Sequence, residues 1–369
     1  MKIAVLLSGG VDSSVALHLA KQAGQTELTA FYLKIWLEEE LAFLGDCPWE
    51  DDLKYARAVC EQAGVPLQIV SLQTEYQERV VSHVLAELKQ GRTPSPDILC
   101  NQWIKFGLFF DKIDASFAKV VSGHYAQISP REILSNPAAE GGGSVFSRGE
   151  QRDGKFLLKR SPDPVKDQTY FLHRLDQTQL SRIWFPIGHL TKPSVRKLAH
   201  ELNLPNRDRK DSQGICFLGK IKYPEFVRFH LGEKPGDIIE LESGRKLAAH
   251  HGVWFYTIGQ RKGIGLSGGP WCVVKKEDNT LFVSHSDHCL THARKQFTVA
   301  DVHWIAGEPA TTDLLTKVRH GPHLQPCAIR PLGDQRWEVT LENLDQGIAP
   351  GQSAIFYEGE ICLGGGVIE

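Results

Sequence analysis

The chain has 369 residues, of which 41% are hydrophobic and 23% are charged, so it is long enough for two or three domains and wholesale disorder is excluded. Its 42 Lys and Arg residues against 44 Asp and Glu give a net charge of −2, so a polyanionic partner would be met by local basic patches. The eight cysteines form no CxxC pair, which argues against a disulfide framework or a zinc ribbon and favours a cytoplasmic location. The sequence contains no run of 18 apolar residues, so no membrane span is predicted.

Residues 1 to about 128 alternate between β-type runs and helical patterns, which is typical of a parallel sheet covered by helices. The predicted strands cover residues 2–7, 28–36, 67–72 and 119–128. The predicted helices lie near 13–23, 49–63, 75–90 and 100–113. This is the pattern of an α/β domain.

Two later stretches have a distinctive composition. Residues 129–155 are rich in Gly, Ser, Pro and charge and lack apolar periodicity, so a mobile surface loop or an extended hairpin without chemistry is predicted there. Residues 189–210 carry six Lys or Arg and two acidic side chains. This basic stretch is either solvated surface or a site for a phosphate backbone, and the sequence leaves both interpretations open.

From about residue 208 onward, short strands punctuated by glycine predict two small β-rich modules. The first has a predicted strand at 253–258. The second has candidate strands at 297–305, 314–319, 326–331, 336–342 and 353–357, a spacing typical of a small barrel or sandwich. The predicted division is a catalytic α/β domain over 1–207, a central β-rich domain over 208–290 and a C-terminal β-barrel domain over 291–369.

The first β–α junction carries a candidate phosphate loop, Ser8-Gly9-Gly10-Val11-Asp12-Ser13-Ser14. Glycines let the backbone curl around a phosphate, while hydroxyls and the free N–H groups of a helix N-terminus donate to its oxygens. The motif lacks both GxxxxGK[ST] and GxGxxG, so neither a GTPase nor a dinucleotide-dependent dehydrogenase is favoured. A glycine-rich turn capped by Ser and Asp is the alternative without a ligand.

Two cysteines lie where a thiol has a reason to react. Cys100 follows Pro94-Ser95-Pro96-Asp97 and is predicted to open a helix, so the helix N-terminus and Lys105 offer a route to a lowered pKa. Cys216 lies in Gly214-Ile215-Cys216-Phe217, where a mobile loop would present the thiol. Asp97 is predicted either as a general acid or base or as the cap of the Cys100 helix.

The other cysteines have less distinctive surroundings. Small buried hydrophobes are predicted at Cys60, Cys272, Cys327 and Cys362, and Cys47 is predicted as an inert loop residue. Cys289 lies among His285, His288 and His292, four possible soft ligands within eight residues. Neighbouring His288 and Cys289 cannot easily bind one ion and no CxxC or HExxH spacing accompanies them, so a polar turn is favoured over a zinc site.

The phosphate loop resembles that of the PP-loop ATP pyrophosphatase superfamily. Taken together and in this order, six segments resemble one family within it, the bacterial-type tRNA-specific 2-thiouridylases. Those segments are SGGVDSS, Cys100-Asn101…Ile104-Lys105-Phe106, Gly123-His124-Tyr125-Ala126, Lys166-Asp167-Gln168-Thr169-Tyr170-Phe171-Leu172, Gly214-Ile215-Cys216-Phe217 and Thr257-Ile258-Gly259-Gln260-Arg261-Lys262-Gly263. The departures are a longer loop at 129–155 and Asp211-Ser212-Gln213 where many relatives have a shorter Ser-Thr.

The resemblance implies ATP as the nucleotide, with Leu33 and Gly123 against the adenosine and Asp12 helping to hold Mg²⁺. It implies that the wobble uridine of the tRNA anticodon is adenylated at its C2 oxygen and receives sulfur from a Cys216 persulfide, with Cys100 completing the transfer. A sulfur donor such as a cysteine desulfurase or a sulfur relay protein would load Cys216. Implied contacts with the target base are Ser95, Pro96 and Asp97, and implied contacts with tRNA are Lys166, Asp167, Gln168, Arg319 and His320.

Without the resemblance, Lys166 and Asp167 are interpreted as an exposed salt bridge without functional importance. His124 is then interpreted as a structural histidine. Two other functions share the phosphate loop. An ATP-dependent N-ligase would amidate an activated carbon and needs neither cysteine. A catalytically inactive nucleotide- or RNA-binding module would release no pyrophosphate in response to tRNA.

Overall fold

The computed structural model describes residues 1–35, 49–130, 155–211 and 222–369. Three sequence predictions therefore lie outside the described residues: the last residue of the predicted strand 28–36, the loop cysteine Cys47 and the second reactive cysteine, Cys216. The central part of the predicted loop 129–155 also lies outside them. Within the described residues, no helix is both long and apolar enough to cross a membrane.

A five-stranded parallel sheet forms the first part of the chain, with the strand order β3-β2-β1-β4-β7. Its strands are β1 (Lys2–Leu6), β2 (Leu28–Lys34), β3 (Leu67–Ser71), β4 (Phe117–Val121) and β7 (Ile183–Trp184). Side chains of β1 alternate between the two faces: Ile3 and Val5 join one hydrophobic core, Ala4 and Leu6 the other. The predicted α/β fold is confirmed, and both faces of the sheet are buried at its central strand β1, as is usual for parallel sheets.

Helices cover both faces of this sheet. They span Val11–Gln22, Trp49–Ala63, Thr169–Leu172, Gln177–Arg182 and Lys192–Glu201, together with two longer composite helices. One composite helix runs from Gln73 through a π-helical stretch, Gln77–Val81, to Lys89. The other starts at Pro96, becomes π-helical over Cys100–Leu108 and ends at Lys112. We call the second one the Cys100 helix.

The predicted strand 119–128 is wrong as a single element. The structure divides it into β4, which ends at Val121, and β5 (Ala126–Pro130), which belongs to a different sheet. The turn between them, Ser122–Tyr125, leaves the carboxyl edge of the parallel sheet. Gly123 explains the break: a Cβ there would lie 2.7 Å from the amide nitrogen of Ser13, so the turn packs directly on the first helix.

From residue 222 onward, where the central module is described, it has one α-helix (Tyr223–Leu231) and a four-stranded sheet of order β10-β11-β8-β9. The strands are β8 (Gly236–Glu240), β9 (Lys246–His250), β10 (Trp271–Glu277) and β11 (Thr280–His285). The predicted strand at 253–258 is wrong, because Val253–Phe255 is a 3₁₀ turn. Glycines explain the turn: Gly252 has a φ of +152° and Gly259 one of +86°, and each packs against a neighbour where a Cβ would not fit.

The last module is a closed barrel of six strands. The strands are β12 (Arg294–Trp304), β13 (Asp313–Lys317), β14 (Gln325–Gly333), β15 (Arg336–Asp345), β16 (Ser353–Glu358) and β17 (Ile361–Ile368), and β12 pairs with β17 to close the ring. This confirms the predicted β-barrel. The predicted boundaries at 207/208 and 290/291 stay a prediction.

A hairpin of the first module extends the barrel sheet. Strand β5 pairs with β6 (Phe156–Arg160), and β6 pairs with β17 through Leu158 and Lys159. Residues 129 and 130 therefore lie in one hairpin arm and residue 155 directly precedes the other, in agreement with the second of the two predictions made for this stretch. The turn that leaves the carboxyl edge of the parallel sheet thus leads directly into the barrel sheet.

Candidate active site

The predicted phosphate loop connects β1 to the first helix. Gly9 has a φ of +76°, and a Cβ there would overlap the carbonyl oxygen of Asp52, so only glycine fits. The Ser13 hydroxyl donates to the carbonyl of Gly10 at 3.0 Å and accepts from the amide of Ser8 at 3.2 Å. Gly10 caps the 12-residue helix with no side-chain hydrogen bond, so the first N–H groups of this helix remain available to an anion.

The Ser122–Tyr125 turn joins the phosphate loop to the Cys100 helix. On one side, the Tyr125 hydroxyl donates to Asp12 at 2.8 Å. On the other, the His124 ring lies 5.7 Å from the ring of Phe106, which belongs to the Cys100 helix. Gln168 holds the turn in place because its side chain accepts from the Tyr125 amide at 2.9 Å.

His124 has the surroundings of a structural residue. Its Nδ1 lies 2.8 Å from the Ser122 hydroxyl, and its ring packs between Phe106 and Phe185. Burial, with a smaller contribution from the Lys105 charge, holds the pKa of this imidazole well below its usual value. A neutral histidine follows, in agreement with the structural interpretation from sequence.

A chain of alternating charges begins at Asp12. The Lys192 ammonium lies 2.7 and 2.9 Å from the two carboxylate oxygens of Asp12 and 2.8 Å from Asp211. Asp211 in turn accepts from Lys166 at 2.7 Å. Although burial alone would raise it, the hydrogen bonds from Lys166 and Lys192 hold the pKa of Asp211 well below its usual value. Both lysines therefore stand beside the phosphate loop with carboxylate partners.

The predicted basic stretch 189–210 belongs largely to this site. Asn206 donates to the carbonyl of Gly9 at 2.8 Å and to the Ser14 hydroxyl at 2.9 Å. Arg209 donates to the same carbonyl at 3.1 Å and pairs with Asp52. Only part of the stretch is solvated, such as the 79% exposed Lys197 side chain. Neither sequence interpretation anticipated that these side chains brace the phosphate loop.

Leu33 lies one residue before the end of β2, at the carboxyl edge of the sheet next to β1. Because β1 and β2 are parallel neighbours, this places Leu33 on the same edge as the phosphate loop and Gly123. The edge is where parallel α/β sheets bind their ligands. The ATP-binding roles of these residues stay a prediction.

Cys100 does not have the environment expected from the sequence. The helix begins at Pro96, so Cys100 lies one turn inside it and not at its N-terminus. The side chain is 1% exposed. Burial raises the pKa of the Cys100 thiol to about 11, with Lys105 lowering it and Asp97 raising it by smaller amounts. The prediction of a lowered pKa is therefore wrong for this conformation, in which the thiol is protonated at neutral pH.

The predicted target-base segment, Ser95 to Asp97, forms the start of the Cys100 helix. Ser95 is the N-cap residue but makes no capping hydrogen bond with its side chain. Asp97 occupies the first turn, and its buried Oδ1 atom has no hydrogen-bond partner among the described residues. The capping alternative for Asp97 does not apply, because Ser95 holds the cap position. A cavity of about 550 Å³ adjoins the segment and is lined by Ser95, Ile98 and Leu99 on this side.

The predicted tRNA contacts divide into buried and exposed groups. Asp167 is 1% exposed and accepts from Lys317 at 2.8 Å and from Arg160 at 3.2 Å, so the interpretation as an exposed salt pair is wrong. Arg319 is 54% exposed and makes a two-point ion pair with Asp345. The exposed His320 ring packs at a tilt against the ring of Phe171, with their centroids 4.6 Å apart. Their contacts with RNA stay a prediction.

The described cysteines include one disulfide, between Cys272 on β10 and Cys289. This corrects two predictions: Cys272 is not merely a buried hydrophobe, and one cystine is present where the cysteine spacing argued against a disulfide framework. Cys289 begins a 3₁₀ turn after β11, and His292 in that turn lies 2.8 Å from Glu242. The predicted Cys100–Cys216 pairing lies outside the described residues.

The chain matches three family models along its length. A model described as the tRNA methyl transferase HUP domain matches residues 1–220. The tRNA methyl transferase PRC-barrel domain matches 224–285, and the aminomethyltransferase beta-barrel domain matches 294–368. An NH3-dependent NAD synthetase from Campylobacter jejuni aligns with 56% of this chain and 65% of that chain at 18% identity and a TM-score of 0.30, a likeness too low to carry an inference.

The full-length relatives are named for thiolation of tRNA, whereas the first two family models are named for methyl transfer. The tRNA-specific 2-thiouridylase MnmA of Parabacteroides distasonis is 42% identical over 377 residues, covering 100% of this chain and 99% of that protein. MnmA 1 of Bacteroides thetaiotaomicron is 43% identical over 378 residues with the same coverage. These alignments cover whole chains, so the similarity extends over all three modules. The chain belongs to the family of the tRNA-specific 2-thiouridylases.

Proposed function

We propose that this protein is a tRNA-uridine 2-sulfurtransferase that uses ATP to replace the C2 oxygen of the wobble uridine with sulfur. The observation that carries the proposal is the Ser122–Tyr125 turn, which contacts Asp12 of the phosphate loop through Tyr125 and the Cys100 helix through His124. A nucleotide site and a candidate thiol thus share one structural element. The name of the full-length relatives supports tRNA as the substrate.

The first step activates a poor electrophile. The C2 oxygen of uridine attacks the α-phosphorus of ATP, pyrophosphate departs, and the oxygen becomes part of an AMP leaving group. The free N–H groups at the first helix and the glycine backbone would bind the triphosphate oxygens. Lys192 stands beside this loop and would supply positive charge as pyrophosphate leaves.

Mg²⁺ was predicted to bind through Asp12. In this structure both carboxylate oxygens of Asp12 contact the Lys192 ammonium, so a cation bound to Asp12 would lie beside a positive charge. The described residues contain no cluster of three His, Cys, Asp or Glu side chains that could hold a metal. The participation of Mg²⁺ therefore stays a prediction.

Sulfur would arrive as a persulfide on Cys216. The Cys100 thiolate attacks the inner sulfur of that persulfide, forms a Cys100–Cys216 disulfide and releases hydrosulfide. Hydrosulfide then adds to C2 and expels AMP, which gives 2-thiouridine. A thiol reductant returns two electrons to the disulfide before the next turnover. This sequence requires Cys100 to leave the buried, protonated state described above, since the thiolate is the nucleophile.

tRNA would be held by groups from two modules. Lys166 and Gln168 come from the first module, and Arg319 and His320 from the barrel. The target uridine must leave its stack to reach Ser95–Asp97. A persulfide donor, such as a cysteine desulfurase or a sulfur relay protein, completes the proposed partners.

The test is reconstitution with purified protein, ATP, a persulfide donor and unmodified tRNA, followed by mass spectrometry of the nucleosides. We expect 2-thiouridine together with tRNA-dependent release of pyrophosphate. Cys100→Ala and Cys216→Ala should each abolish thiolation while ATP binding is retained, with Cys60→Ala as the matched control. Retained thiolation in either variant would contradict the mechanism. Amidated product from Cys216→Ser would favour an N-ligase, and absence of tRNA-dependent pyrophosphate release would favour an inactive binding module.

A further inference from the structure

A loop of the barrel binds the main chain just before the predicted target-base segment. Thr93 donates its amide to the carbonyl of Pro350 at 2.8 Å, and its carbonyl accepts from Nε2 of Gln352 at 2.7 Å. Both polar groups of one peptide residue are therefore bonded to the same barrel loop. Thr93 lies only two residues before Ser95 and four before Asp97.

The contact is tight because of Gly351. This residue has a φ of +89°, and a Cβ there would lie 2.7 Å from the Thr93 amide nitrogen and 2.9 Å from Cβ of Arg92. No side chain can approach that closely without moving the neighbouring chain. Glycine is thus required twice, by the backbone conformation and by the distance to Thr93.

The barrel loop is itself fixed. Gly351 donates to the carbonyl of Ile368 at 2.9 Å, and Ile368 donates to the carbonyl of Gln352 at 2.8 Å, so the loop is tied to the last barrel strand. Ala349, at the start of the loop, is 1% exposed. A shift at Thr93 therefore requires a shift of the barrel wall or the loss of two hydrogen bonds.

The chain after Thr93 transmits its position. Pro94 and Pro96 fix their own φ angles and restrict the residues before them, Thr93 and Ser95, while Asp97 is held in the first helical turn, so the segment has little freedom to compensate for a displaced Thr93. On the other side of Thr93, Arg92 donates to Glu87 at 2.6 Å and is anchored to the preceding helix. The cavity of about 550 Å³ beside Ser95 is lined by Pro350 and Gly351 as well.

We propose that Gly351 and Gln352 are positioning residues, which set the place of Ser95–Asp97 by holding Thr93. This inference rests on the proposed function, in which that segment meets the target uridine. Part of the energy of tRNA binding to the barrel would then be used to orient the target-base segment, which is an effect on turnover more than on ATP binding. The barrel would take part in forming the active site besides gripping RNA.

The test compares two glycines of the same barrel with the same backbone conformation. Gly333 has a φ of +88°, yet a Cβ there would meet nothing within 4 Å, so Gly333→Ala controls for backbone strain. Gly351→Ala should abolish the hydrogen-exchange protection of the Thr93 amide and lower kcat for tRNA thiolation about 10- to 100-fold, with KM for ATP unchanged. Gly333→Ala should leave both readouts within twofold of the wild type.

Three outcomes would overturn the inference. The first is a wild-type kcat in Gly351→Ala although its Thr93 amide exchanges freely. The second is retained protection of the Thr93 amide in Gly351→Ala. The third is a loss of activity in Gly333→Ala equal to that in Gly351→Ala. If Gly351→Ala does not fold, Gln352→Met removes the donor to the Thr93 carbonyl and is judged by the same kcat and exchange measurements. Wild-type protein that makes no 2-thiouridine would instead contradict the proposed function, so the two failures are distinguishable.

Discussion

The Lys317 ammonium donates to the Asp167 carboxylate at 2.8 Å, and both side chains are fully buried. Asp167 belongs to the segment that also holds Gln168, whereas Lys317 ends the barrel strand just before Arg319. The pair therefore fixes the distance between the predicted tRNA contacts of two modules. A charge buried in this way is costly once its partner is removed.

We expect Lys317→Met to destabilise the protein by about 3 kcal/mol, because the buried Asp167 carboxylate would lose its close cation and keep the longer contact with Arg160 and the hydrogen bonds from Thr169. The measurement is the urea midpoint of unfolding. The control is Arg330→Met, which breaks the ion pair between the exposed Arg330 and the partly exposed Glu338 and should cost at most about 1 kcal/mol. If the two substitutions lowered the free energy of unfolding equally, burial of the Asp167–Lys317 pair would not increase its contribution to stability.

Lys192→Gln should weaken ATP binding about tenfold or more, because this substitution removes the cation next to the phosphate loop. The matched control is Lys197→Gln on the same helix, whose 79% exposed side chain makes only a long pair with Glu201. Isothermal titration with ATP compares the two variants. Unchanged affinity in Lys192→Gln would exclude Lys192 from the nucleotide site.

Gly123→Ala should abolish ATP binding without unfolding the protein. The added methyl group would lie 2.7 Å from the Ser13 amide nitrogen and push the Ser122–Tyr125 turn away from the first helix. Gly321→Ala is the control, since a Cβ at Gly321 would meet nothing within 4 Å. ATP affinity and circular dichroism are the readouts, and normal affinity in Gly123→Ala would contradict the close approach as a requirement.

The Cys100 thiol should resist alkylation in the free enzyme. Its pKa of about 11 keeps it protonated at pH 8, and burial blocks the reagent. We expect iodoacetamide to leave Cys100 unmodified at pH 8 in folded protein and to modify it after denaturation, as followed by peptide mass spectrometry. Rapid modification of Cys100 at pH 7 would contradict the buried state, and Cys60, with a pKa of about 11, serves as an internal reference.

The same raised pKa predicts that Cys100 makes the protein less stable as the pH rises. A carboxylate whose pKa is lowered by an ion pair would have the opposite effect. The unfolded thiol loses its proton near its ordinary pKa of 9.0, whereas the folded one keeps it to about 11. The unfolded state therefore binds fewer protons between these values, and the contribution of Cys100 to stability, complete below pH 9, is lost as the pH rises towards 11.

The sequence predicts the parts of this site that are local. Ser8–Ser14 lie on one β–α junction, so the motif and its place in the fold can be recognised together. Lys192 lies 180 residues from Asp12, and no pattern in the basic stretch indicates which of its cations turn towards the loop. The predicted lowering of the Cys100 pKa is wrong for a related reason. Burial of the thiol depends on side chains of other elements, and the helix starts one turn earlier than predicted.

The fold was predictable where hydrophobic periodicity is strong and less so where glycine is needed. Strand β17 was missed because its sequence contains Gly364-Gly365-Gly366, a pattern that usually indicates a turn. In the barrel, a Cβ at Gly364 would overlap the carbonyl of His303 and one at Gly365 would overlap the carbonyl of Ala354. The glycines let the neighbouring strands close on β17, a requirement that is visible only in three dimensions.

The hairpin β5–β6 makes the barrel difficult to detach. Main-chain hydrogen bonds run from β6 to β17, and the amide of Arg160 donates to the carbonyl of Glu360 at 2.8 Å. A shortened chain that ends before the barrel would carry an open strand edge and an Asp167 without its lysine, two features that promote aggregation and misfolding. Attempts to produce the nucleotide-binding half as a separate recombinant fragment should therefore keep the barrel or redesign this edge.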